Sequence, residues 1–105
     1  MSTNTGYPSV VWFTRLTASG AVGNAGKPVD IVGYSIGSKL AAGVVAFLNG
    51  STQGNGIFGW ADQGRVAASE QTIGLAYRVR MPLGCWVSFD SNVSNCTVFY
   101  QQMLT

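Results

Sequence analysis

The side chains best suited to covalent or acid–base chemistry in this 105-residue chain are two thiols, Cys85 and Cys96, and four carboxylates, Asp30, Asp62, Glu70 and Asp90. The chain has no histidine. That removes the usual general base, the commonest metal ligand and the partner that activates a serine or cysteine nucleophile. The four acids are scattered, so a hydrolytic carboxylate pair would have to be assembled by the fold. Two thiols without histidine fall short of a zinc site. Gly20 to Gly26 and Gly54-Asn55-Gly56 lack the Lys-Ser/Thr ending and the strand–turn–helix setting of a phosphate-binding loop, so they read as turns. The expectation is a protein with no catalytic residue, no cofactor and no metal, one that binds or builds.

Charge is sparse. Six Lys or Arg and four Asp or Glu make up 10% of the residues, with a net charge of +2, against about 25% charged residues in an average domain. No Lys/Arg run is present, and phosphate binding needs clustered cations, so nucleic acid is not the expected partner. No segment approaches the roughly 20 apolar residues of a membrane helix, and the polar start MSTNTGYPS does not read as a signal peptide. A surface so poor in charge is covered by hydroxyls, amides and backbone, or by other protein. The second option points to an oligomer or an assembly subunit.

The elements that would position these groups read as strands. Fourteen glycines fall between apolar segments, as turns do in an all-β chain. Residues 1–8 read as an extended arm anchored by Tyr7 and Pro8, with one domain over residues 9–105. Val10 to Leu16 and Pro28 to Ile36 are strands rich in β-branched and aromatic residues, separated by a loop over Ala18 to Lys27. Ser38 to Leu48 fits a strand or a helix capped by Ser38; Gly43 and the two valines after it favour the strand. Ile57 to Ala61 is a short strand. Gln71 to Met81 alternates, with Ile73, Leu75, Tyr77, Val79 and Met81 on one face and Arg78 and Arg80 on the other. The chain ends in Cys85 to Asp90 and Cys96 to Gln102, joined by the turn-rich SNVSN.

Treating those last two segments as a hairpin centred on Val93 sets Trp86 opposite Tyr100. It puts Cys85, Val87, Phe89, Thr97, Phe99 and Gln101 on the core face. It also places Cys96 opposite Asp90, about 17 Å along the strand from Cys85, whereas a disulfide needs Cα atoms within about 7 Å. Two free thiols follow. The whole is an all-β chain, a small antiparallel β-sandwich or jelly-roll-like domain with an extended N-terminal arm.

Several residues have two readings. Arg78 and Arg80 form a solvated or acid-paired face, or meet a neighbouring subunit. Trp86 and Tyr100 form a sheet-stabilising pair or a partner contact. Trp12, Trp60 and Trp86 read as core or inter-sheet residues, and Trp60, between a Gly-rich loop and polar Ala61 to Gly64, is the tryptophan best placed to be exposed on a binding surface.

From Val10 to Gln102 the chain resembles the small all-β virion proteins of tailed bacteriophages, of the capsid decoration or cement type. The likeness lies in the order and character of its segments: a polar arm into an apolar strand, PVDIVGYSI, AAGVVAFLNGS, a Gly-rich middle, MPLGCWVSF and a terminal TVFYQQ. The resemblance implies a subunit, commonly a homotrimer, on the capsid surface of the virion. It would bridge capsomers of the major capsid protein or touch other virion proteins, with residues 1–8 as the clamp. The alternative is a phage tail or fibre recognition module that binds a host surface glycan or receptor, for which Trp60 with Asp62 is the aromatic platform.

Overall fold

Alternating β-branched and aromatic residues do become strands, and the strands pair in two layers. The computed structural model describes residues 10–24, 26–50, 52, 57–64 and 70–102; the arm expected at residues 1–8, including Tyr7 and Pro8, lies outside them. Eight strands follow in order: β1 (Trp12–Leu16), β2 (Gly20–Val22), β3 (Val29–Ser38), β4 (Val44–Asn49), β5 (Ile57–Gln63), β6 (Glu70–Met81), β7 (Cys85–Phe89) and β8 (Val93–Gln102). The first sheet runs β1-β8-β3-β6 and the second β2-β7-β4-β5, with every neighbouring pair antiparallel. The fold is a small all-β sandwich.

Side chains from both inner faces make one core. Val29, Ile31, Tyr34, Ile36, Cys96 and Val98 come from the first sheet, and Val22, Val45, Phe47, Cys85 and Val87 from the second. In β3 the inward set changes parity. Val29 and Ile31 face in below Val32, and Tyr34 and Ile36 face in above it. The cause is a bulge between Ile31 and Gly33, where the register against β8 and β6 shifts; an extra residue on one strand turns the following side chains over. Gly33 is required beside it, because a Cβ there would sit 2.8 Å from the Ile73 carbonyl oxygen.

Four expectations change. First, Gly20–Val22, expected to be loop, pairs with β7; three residues among glycines carry too little pattern to read. Second, the strand favoured for Ser38 to Leu48 forms but starts later, at Val44. Ser38 ends β3, and its Oγ accepts the Gly43 N–H at 3.0 Å, so it closes a turn into β4. Third, Tyr77 leaves the inner face and is exposed. Ile31 pairs with Val79 and Gly33 with Gly74, so residues 75–78 bow out opposite Val32 alone.

The fourth correction is the largest. β7 and β8 form no hairpin: β7 lies in the second sheet and β8 in the first. Trp86 pairs with Ala21 and Leu48, and Tyr100 with Trp12 and Ile31. Asp90 makes the crossing. Its N–H donates to the Val44 carbonyl at 3.1 Å, and its Oδ1 accepts the Asn92 N–H at 2.8 Å. Asn92 then offers its carbonyl to the Lys39 N–H at 2.8 Å. The connection thus arches between sheets, and the core face of β8 is Cys96, Val98 and Tyr100, the set expected outside.

Candidate functional site

The groups that could react are, among the described side chains, sealed or engaged. Cys85 and Cys96 are both free and buried, one in each sheet. Burial, with the second thiol nearby, pushes Cys85 up to about 12, and burial does the same to Cys96. A thiol held neutral this strongly is a poor nucleophile. Among the described residues no three His, Cys, Asp or Glu side chains cluster to hold a metal ion.

Asp62 is tied to the core from the second sheet. Its Oδ2 accepts the Tyr34 hydroxyl at 2.8 Å, and its Oδ1 accepts the Gln63 N–H at 2.8 Å. The Trp60 and Tyr34 rings lie 6.4 Å apart, centroid to centroid. Burial dominates and raises the Tyr34 phenol to about 12, with Trp60 opposing and Asp62 adding to the shift. Trp60 stacks on Phe47, with centroids 4.4 Å apart and planes 11° apart. Phe47 meets the Tyr34 ring at 4.7 Å. Trp60 and Asp62 are therefore half-buried parts of an inter-sheet clasp, and the aromatic platform expected there is not presented. No local pattern joins Tyr34 to Asp62, twenty-eight residues apart.

Arg78 and Arg80 lie on the outer face of the first sheet, as expected from the alternation of β6. Arg80 forks onto Asp30, Nε to Oδ1 at 2.8 Å and Nη2 to Oδ2 at 3.2 Å, and the two residues are register partners. Asp30 is almost fully buried, so this is the acid-paired reading of Arg80. Arg78 donates from Nη1 to the Gln101 side-chain oxygen at 2.7 Å. Trp86 and Tyr100, expected side by side, are separated: Tyr100 is buried, and Trp86 lies half-buried on the outer face of the second sheet in a cross-strand row with Ala21, Leu48 and Phe58.

The feature that stands open is one edge of the first sheet. β1 hydrogen-bonds only to β8, so one side of its backbone is unpaired by any described strand. Val10, Val11, Trp12 and Phe13 are all exposed there. Successive strand residues point to opposite faces, so the edge is apolar on both. No family model, no curated protein and no solved structure matches the chain. The β1 edge escaped the sequence reading because an unbroken apolar run reads as a fully buried strand. The signal was the position of that run, first in the domain, where a strand can be left at an edge.

Proposed function

We propose that the chain is a structural subunit of a tailed-phage virion, of the capsid decoration type, that acts by adhesion to other protein and not by turnover. The observation that carries this is the β1 edge. Natural sheets blunt their edges with charge, proline or bulges because an open apolar edge pairs with other chains. β1 has one exposed cation, Arg15, and otherwise shows Trp12 and Phe13 with two valines before them. An edge kept in that state is an unfinished interface. Sparse charge over the whole chain supports the same reading, and the resemblance of its segments to decoration proteins supports the virion shell as the setting.

In this reading the partners are copies of the chain together with the major capsid protein or other virion proteins, and residues 1–8, with Tyr7 and Pro8, clamp the shell. Arg78, exposed on the outer face, is a further candidate contact. The test is occupancy. A chain lacking residues 1–8 keeps its circular dichroism spectrum and binds purified capsids more weakly. Full occupancy by the truncated chain would remove the clamp.

A further inference from the structure

We infer that the β1 edge of one copy packs against the β5–β6 edge of the next, in a head-to-tail contact. The inference rests on the adhesive reading above and names the occupant of its site. Nine large hydrophobic side chains are exposed among the described residues, and seven of them fall in two groups. Val10, Val11, Trp12 and Phe13 are at β1. Ile57, Phe58 and Tyr77 are on β5 and β6, which end their sheets on the other side of the sandwich. Leu40 and Leu83 lie in turns.

The area fits a copy-to-copy seam. Phe13 is 69% exposed, Trp12 45%, Phe58 63% and Tyr77 85%. With ~150–250 Å² per fully buried aromatic ring, each group offers on the order of 400 Å² of apolar surface. Joined, they supply roughly 800 Å², close to the apolar share of a standard interface of about 1,600 Å². A twofold β1–β1 contact would bury a similar area, but it would leave the β5–β6 group bare on every subunit. It would also bring two Arg15 side chains toward each other. In the head-to-tail contact one kind of seam covers both groups. β1 carries Arg15 and β5 carries Asp62, while on β6 Arg78 donates to Gln101 and Arg80 is paired with Asp30. Repeated, such a contact closes a ring or extends a filament.

The native thiols are buried and held neutral, so introduced surface cysteines report alone. Val11→Cys and Ile57→Cys, singly and together, are treated with a short bis-maleimide at neutral pH and run on a denaturing gel. The double variant is expected to give a ladder of covalent oligomers, while each single variant stays at one chain. Light scattering on the native chain is expected to give a multimer, and on Phe13→Asp and Phe58→Asp alike a folded monomer. A covalent dimer from Val11→Cys alone would establish the twofold contact and overturn the inference. A native monomer with no intermolecular product from any variant would overturn it too. The adhesive reading would survive that result if Phe13→Asp still lowered capsid occupancy.

Discussion

Phe47 and Phe13 are the same side chain in two settings. Phe47 is fully buried, stacked on Trp60 and tilted against Tyr34, while Phe13 is mostly exposed on an edge strand. Both occupy strands rich in apolar residues, and each pairs in regular register with one neighbouring strand, Phe13 with β8 and Phe47 with β7. The difference is what lies opposite. The first sheet covers Phe47, and nothing described covers Phe13. Apolar area in the first place holds the fold together. In the second it adds nothing until a partner removes it from water. The molecule therefore keeps apart the apolar area that stabilises it and the apolar area it leaves in water.

The largest effect should come from the interior. Phe47→Ala removes a fully buried ring at the centre of the clasp and should cost about 3–5 kcal/mol, read as a lower urea midpoint. A loss under 1 kcal/mol would show that this ring is not the keystone it looks to be. Alkaline pH tests the sealing of the same interior. Each thiol has an ordinary value of 9.0 and is raised to about 12 in the fold. The unfolded chain therefore gives up protons that the native one keeps. The stabilisation is complete below pH 9 and is lost as pH rises toward 12, by about 1.4 kcal/mol per pH unit for each thiol. Denaturant midpoints measured from pH 8 to 11 should fall accordingly; a flat profile would mean the thiols are open to water.

Tyr34→Phe keeps the ring and deletes the hydroxyl bonded to Asp62, so a loss of about 1.5–3 kcal/mol is expected from thermal melts. At the edge the expectation reverses. Phe13→Ser should change stability by no more than about 0.5 kcal/mol while reducing self-association; a large destabilisation would place Phe13 among the residues that hold the fold. Trp86 should also show a small effect. Its Nε1 is buried with no acceptor, so Trp86→Phe deletes an unsatisfied donor along with some packing, and a change within about 1 kcal/mol is expected.

Strand positions were largely legible because period-2 alternation is local. β1, β3 and β6 could be read from Val10 to Leu16, Pro28 to Ile36 and Gln71 to Met81 almost to their ends. Pairing was not legible. SNVSN has the composition of a hairpin turn, and the same residues serve an arch between sheets; only the bonds from Asp90 and Asn92 to Val44 and Lys39 decide which. The error carried through to the face of β8 and to the supposed Trp86–Tyr100 pair. The thiols are free and buried as expected, although the hairpin register from which that expectation followed does not form. The clasp of Tyr34, Trp60 and Asp62 joins strands distant in the chain, and no spacing rule reaches that far. The open edge was hidden because propensity reports that a residue suits a strand and says nothing of whether that strand has a cover.

The bulge at Val32 makes β3 two half-strands of opposite phase spliced at one residue. Deleting Val32 would merge the halves into one regular alternation with Val29, Ile31, Tyr34 and Ile36 all on the inner face, so the bulge and its register shift would no longer be needed. A one-residue insertion or deletion within either regular half, away from the bulge, would instead put the residues beyond it on the wrong face. Loops elsewhere can change length by a residue without any such penalty.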